Sequence, residues 1–406
     1  MGPSGAVTTC GSVLGIAGFR WLSLAVLFQA LGFVGEQVVL GWIALELTDS
    51  AALVGVAFAV RTTPFLITGV PGGVLADRID RAWLLQVTNL VMAIGAAALG
   101  ILALTPWLTF WSLLLLTFAV GSAHAINFAA RQGQVHDLAG PERLMGALAI
   151  TALAMRGGGL LGSLGAGVLI LHLGSGPAYF AIAVSYLTSA AVMRWSRAGS
   201  GPRARLLEPR FSETVGMVAF MRRNRTVVLL AALTAAAEIF GFSYHALLPS
   251  LARDVLHVGP TGLGAMTASR SVGGMLAIAT FALVRHRSGA GRLFLGVLAA
   301  YGGTLVLLGL TRHLLWAFLL LALLDATAAL SDVLSQSLIQ LAVPAELRGR
   351  AGGLWVLAVG SGPIGQMQAG LLASIFGVSI AFMLNGGALM LMAAIAMVVL
   401  VPIRRL

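Results

Sequence analysis

Long apolar runs alternate along the chain with short segments of turn residues and charges, and the runs have the length of membrane helices. Twelve can be drawn, at about residues 19–45, 52–73, 82–104, 108–130, 143–171, 176–194, 225–249, 262–284, 292–311, 314–338, 349–373 and 377–403. About 20 apolar residues rising 1.5 Å each cross the ~30 Å hydrocarbon core of a bilayer, so each run predicts one transmembrane α-helix. Between the sixth and seventh runs, Gly199, Ser200, Gly201, Pro202 and a cluster of arginines break the hydropathy. The predicted organisation is a tail at 1–18, a six-helix bundle at 19–194, a linker at 195–224 and a second six-helix bundle at 225–406.

Composition places the chain in a membrane: 59% of its 406 residues are hydrophobic and 10% are charged. The net charge of +11 comes entirely from arginine, since no lysine occurs. With a cytoplasmic N-terminus, 20 arginines face inward, Arg78, Arg81 and Arg131 among them, and only Arg253 and Arg312 face outward. This asymmetry predicts a multi-pass membrane protein with both termini in the cytoplasm. The basic charge is topological and no nucleic-acid partner is expected. Cys10 is the only cysteine, so no intrachain disulfide can form. Residues 1–18 lack the basic start and cleavage site of a signal peptide, so the first run is expected to remain as a helix.

The two sets of six runs repeat one another. An offset of 203 superposes Pro141 on Pro344, Gly146 on Gly349, Gly159 on Gly362, Gly162 on Gly365 and Gly167 on Gly370. An offset of 209 superposes Gly55 on Gly264, Arg61 on Arg270 and Arg78 on Arg287. Duplicated halves are a transporter design, and small residues at helix spacing let membrane helices approach closely.

Seven ionisable side chains interrupt the apolar runs. Glu36 lies on the first, Arg61 on the second, Arg156 on the fifth, Glu238 on the seventh, Arg270 on the eighth, and Asp325 and Asp332 on the tenth; the third, sixth, ninth and twelfth have none away from their ends. A charge at a helix centre costs about 2.5–3.5 kcal/mol to insert, so such groups face protein or water and often carry function. His124, Asn127 and Arg131 share one face of the fourth run, and Gln29 with Glu36, Glu238 with His245, and Asp325 with Asp332 are each two helical turns apart. At 1.5 Å per residue, Arg61, Arg156, Glu238 and Asp325 lie roughly 14–20 Å from their helix starts, near mid-membrane. Glu36, Glu238 and Asp325 are therefore the candidate proton or cationic-substrate sites, with Arg61 and Arg156 as counter-charges or anion contacts. Burial favours the neutral carboxyl and a nearby arginine the charged one. An acid that meets its arginine in only one conformation could take up a proton on one side and release it on the other.

No HExxH, CxxC or clustered histidine spacing suggests a metal, and no GxxxxGK[ST] loop suggests ATP. No nucleophile and base set marks an enzyme. Energy is expected from a proton gradient, with no cofactor.

Gly73-Val74-Leu75-Ala76-Asp77-Arg78-Ile79-Asp80-Arg81 resembles the inner-loop motif of the major facilitator superfamily. Leu47-Thr48-Asp49-Ser50, Ala130-Arg131-Gln132, Pro141-Glu142-Arg143-Leu144 and Pro344-Ala345-Glu346-Leu347-Arg348-Gly349-Arg350 extend the likeness toward its enterobactin-exporter and macrolide-efflux branch. Leu160 departs from the proline usual in the antiporter motif of helix five, whereas helix eleven keeps Gly362-Pro363 at the repeat-related position.

The resemblance implies an all-α fold of two pseudo-symmetric six-helix bundles. Helices one, four, seven and ten would line a cavity, with Gln29, His124, Asn127, His245 and Asp332 as lining candidates. Asp77, Arg78, Arg81 and Arg131 would form a conformational gate, Asp77 meeting the positive end of the eleventh helix near Gly349. The expected function is proton-coupled efflux of small amphiphilic or cationic organic molecules by a monomer among the lipids of a prokaryote's inner membrane. Lipid, lysolipid or siderophore translocation and a non-transporting scaffold or sensor are the alternatives.

Overall fold

The structure, a computed structural model, describes residues 13–196, 224–284, 289–343 and 358–399, apart from the side chains at 69–74, 77, 225, 278–284 and 399. All regular structure among the described residues is helical. The helices are α1 (Ala17–Thr48), α2 (Ala51–Arg78), α3 (Arg81–Ala103), α4 and α5 (together Phe110–Leu173), α6 (Ser175–Met193), α7 (225–255, interrupted), α8 (Gly259–Val284), α9 (Ala290–Leu310), α10 (Leu314–Leu341), α11 (Gly362–Phe376) and α12 (Val378–Val399). Nine helices among the described residues are long and apolar enough to cross a membrane, with α4 and α5 counted as one. Large apolar side chains remain exposed along them, including Ile94 on α3, Val184 on α6, Leu307 on α9 and Leu391 on α12. Such faces suit a lipid solvent.

Two boundaries differ from the hydropathy reading. The fourth and fifth runs are one continuous path from Phe110 to Leu173, bent at Gly140, whose φ of 68° and ψ of 170° are non-helical. Gly140 tolerates that left-handed φ, and Pro141 can start a new helix because its missing N–H would be unpaired there. Helix α4 therefore runs on to residue 139, well past the apolar run. Helix α7 continues to Val255 rather than 249, but with changing pitch.

The described residues form two compact units. The first takes them from Met1–Asp49, Val60–Ala204 and Val258–Ser271; the second from Ser50–Ala59, Arg205–His257 and Val272–Leu406. The first turns of α8 thus pack in the first unit, and those of α2 in the second. Glycine makes both packings possible. In the first unit a Cβ on Gly264 of α8 would lie 3.0 Å from Gly167 Cα of α5. In the second a Cβ on Gly55 of α2 would lie 3.0 Å from Gly370 Cα of α11. These two contacts join the glycines that the sequence offsets superpose, so the repeat is expressed as one backbone contact made twice.

Candidate functional site

In the first unit a polar network links α1, α2, α4 and α6. Glu36, Arg61, Gln29, His124 and Arg131 are all buried. Arg61 Nη2 lies 3.8 Å from Glu36 Oε2 and donates to the Phe33 carbonyl at 3.1 Å. Its guanidinium carbon is 4.1 Å from the centroid of the Phe33 ring, a cation–π distance. Tyr186 on α6 donates to Glu36 Oε2 at 3.0 Å, and its ring occupies space that a side chain at Gly32 would fill. Phe33 also stacks on His124, with centroids 3.8 Å apart.

Gln29 connects the network to Arg131. Arg131 Nη1 donates to Gln29 Oε1 at 2.7 Å, and Gln29 Nε2 lies 3.2 Å from His124 Nδ1. Arginine can only donate, so the amide must turn its oxygen toward Arg131 and its NH2 toward the ring. Nδ1 is then the acceptor, and a neutral His124 carries its proton on Nε2. Asn127, on the same face of α4, donates to Thr88 on α3 at 2.8 Å and ties these helices together.

In the second unit the site forms around a distortion in α7. Residues Arg225–Ala236 are α-helical, Ala237–Gly241 widen to a π-turn, Phe242–Leu247 tighten to a 3-10 turn, and Leu251–Val255 widen again. The Phe242 N–H bonds to the Ala237 carbonyl and Leu256 N–H to Leu251, each five residues back. Pro249 has no N–H for the His245 carbonyl, which accounts for the break at the 3-10 segment. Wide turns of this kind concentrate at functional sites.

Glu238 sits on the first wide turn, 8% exposed, with no hydrogen-bond or ion-pair partner among the described residues. Its Oε2 lies 3.7 Å from where a Cβ on Gly362 would stand, against the first turn of α11, the end where a helix presents its positive dipole. Asp332 is within electrostatic reach of Glu238. Tyr244 donates to Asp325 Oδ1 at a long 3.4 Å, and its ring lies 4.4 Å from His245. Tyr301 on α9 packs edge-on against Phe242, with centroids 5.8 Å apart.

The other candidates are placed differently. Arg156 is half-buried on α5, and Arg270 is buried on the part of α8 that belongs to the first unit. Arg131 is 2% exposed inside α4, on the helix that carries His124 and Asn127; the apolar run ends at 130 but the helix does not. Arg78 is exposed. Arg81 is half-buried and bonds Asp137 at 2.7 Å and the Ala76 carbonyl at 3.2 Å, bracing α3 against α4. Asp80 caps α3 by accepting from the Trp83 N–H. The Asp77 side chain and Gly349, with most of the linker and the Pro344–Arg350 segment, lie outside the described residues. The sequence reading missed Phe33, Tyr186 and Tyr301. The tyrosines' only signal was a hydroxyl on runs without charge.

The comparisons place this geometry. A family model described as "Transmembrane secretion effector" matches residues 9–406. Enterobactin exporter EntS of Shigella boydii serotype 4 is 26% identical, with 88% of this chain and 86% of the relative covered. The EntS of Salmonella typhi is 25% identical, covering 80% and 79%. Among solved structures, nucleoside transporter NupG superposes with a TM-score of 0.75 at 13% identity, covering 94% of this chain and 98% of its own. Peptide transporter POT in complex with sulfate gives 0.76 at 15%, covering 96% and 95%. At such identities the structures speak to the fold, an all-helical transporter fold of the major facilitator type. The chain belongs to the transmembrane secretion effector family of the major facilitator superfamily and is a membrane transporter, not an enzyme.

Proposed function

We propose that this protein is a proton-coupled exporter of small amphiphilic or cationic organic molecules. It works by alternating access in the inner membrane of a prokaryote, with both termini in the cytoplasm. Glu238 carries the reading: a buried carboxylate within a membrane span, on a widened turn, without a partner among the described residues. Glu36 has the Arg61 guanidinium and the Tyr186 hydroxyl as partners. Glu238 has neither, so a proton or a substrate ammonium is the counterpart its charge lacks. Protonation removes a charge that is expensive in the membrane interior, and its return on the other side completes a coupling cycle. The exporter activity named for the EntS relatives agrees with outward transport.

A siderophore exporter is the second reading. The relatives' named activity favours it, and so does the first unit, where Arg61 and Arg131 are buried with Glu36 as the one buried acid among the described residues. Guanidinium groups suit carboxylate or phenolate oxygens.

Proteoliposomes holding the wild type and the Glu36→Gln, Glu238→Gln and Asp325→Asn variants, offered ethidium or enterobactin, test both readings. Ethidium-dependent proton movement that Glu238→Gln abolishes supports the first. Enterobactin movement without ethidium movement selects the second, and no proton movement with either compound removes the coupling.

A further inference from the structure

The two units share a device that neither the family match nor the relatives' names describe. Helices α6 and α9 carry no charge within their apolar cores, yet α6, which holds the fully buried Tyr179 and Tyr186, sends Tyr186 toward an acid on another helix, and α9 sends the fully buried Tyr301. In the first unit the Tyr186 ring passes the backbone of α1 at Gly32, where a Cβ would lie 2.8 Å from its Cε1, and its hydroxyl bonds Glu36. In the second the Tyr301 ring passes α7 at Gly241, where a Cβ would lie 2.5 Å from its Cε1 and 3.0 Å from its hydroxyl oxygen. Gly241 is three residues beyond Glu238, within the same wide turn of α7.

The devices differ in state. The Tyr186 hydroxyl is used, whereas the Tyr301 hydroxyl is buried without a hydrogen-bond partner among the described residues. Buried hydroxyls are rarely left so, and each exception needs an explanation. Tyr301 lies within electrostatic reach of Glu238, Asp325 and Asp332, and Glu238 has no partner either. A phenol and a carboxylate that both lack partners, at one turn of α7, are a donor and an acceptor for one bond.

We propose that Tyr301 is a positioning residue for Glu238: its hydroxyl donates to the charged carboxylate in one step of transport and releases it when Glu238 takes up a proton. The inference rests on the proton-coupling reading of Glu238 given above. The ionisable groups around Glu238 are few. Helix α10 brings Asp325 and Asp332, α7 brings Tyr244 and His245, α9 brings Tyr301, and the described parts of α11 and α12 bring none. Among these Tyr301 is the phenol whose ring is seated against α7 beside Glu238, and Tyr244 is engaged with Asp325.

Infrared titration of the full chain in liposomes tests this without a substrate. The carboxylic C=O band present in wild type and absent in Glu238→Gln belongs to Glu238. In Tyr301→Phe that band should keep its frequency, because the protonated acid has already released the phenol, but titrate about one pH unit higher, since one hydrogen bond to the charged form is lost. Tyr301→Phe placed in the Glu238→Gln background should alter no carboxylic band. A Glu238 band that titrates in Tyr301→Phe where it does in wild type, or an equal change of other bands in both backgrounds, overturns the role of Tyr301. Absence of any titrating Glu238 band in wild type overturns the proton reading itself, and the proposal with it.

Discussion

Arg61 reaches Glu36 at 3.8 Å across α1 and α2, while Arg61 Nε and Glu36 Oε1 stay buried without hydrogen-bond partners among the described residues. The pair is close enough to neutralise and too long to be a charge-assisted hydrogen bond. Removing one member strands the other charge, a loss of about 3–5 kcal/mol for buried pairs. Arg61→Gln and Glu36→Gln should each lower the unfolding temperature of the purified protein. The double variant, which leaves no charge behind, should recover most of the loss. A double variant as unstable as the sum of the singles would show that the two side chains do not interact.

The Gln29 amide, clamped between Arg131 and His124, makes a prediction about one proton. Its oxygen is committed to Arg131, so His124 Nδ1 accepts and the imidazole proton is on Nε2. Nitrogen NMR of histidine-labelled protein should assign His124 to the Nε2–H tautomer, and Arg131→Met, which frees the amide to rotate, should allow the other. Finding the Nδ1–H tautomer in wild type would reverse the chain of hydrogen bonds.

The parts of this site that sequence makes legible are those marked by charge. Glu36, Arg61, Glu238 and Asp325 announce themselves because an ionisable residue in an apolar run is expensive and therefore rare. Tyr186 and Tyr301 do not, because a phenol is mostly apolar surface with one polar tip and is at home in any membrane helix. Arg131 was legible as a residue on the face of helix four, but the helix's length beyond it was not. Hydropathy measures the bilayer's reach, whereas α4 is held on by packing: Gln134, one turn further, donates to the Ser196 carbonyl at 2.8 Å. The change of pitch in α7 depends on Pro249 and on its neighbours together, and periodicity alone carries no trace of it.

The paired glycine contacts should respond alike. At Gly55 and at Gly264 a side chain would enter the backbone of the facing helix. Overpacking of this sort costs about 1–3 kcal/mol. Gly55→Val and Gly264→Val are expected to lower both the unfolding temperature and the transport rate by similar amounts. Gly296→Ala is the control, since nothing lies within 4 Å of its Cβ position, and it should leave both unchanged. Loss at only one of the two contacts would show that the repeat is preserved in geometry but not in use.

The most consequential substitution is Glu238→Gln, since it keeps the shape of the side chain and removes its capacity to exchange a proton. Gln366 and Ser361 show that α11 accommodates polar groups near this turn, Ser361 donating to the Ala235 carbonyl at 3.4 Å, so the amide should fold normally. If the carboxylate couples substrate to proton, the variant should equilibrate ethidium across the liposome membrane in either direction. It should also lose accumulation against a gradient when a pH difference is imposed. Wild type and variant would then differ in the direction and extent of movement, not in its existence. A variant that still accumulates ethidium with the pH difference would move the coupling to another acid. Glu36, already held by Arg61 and Tyr186, would have to leave both partners to serve, which makes Asp325 the next residue to substitute.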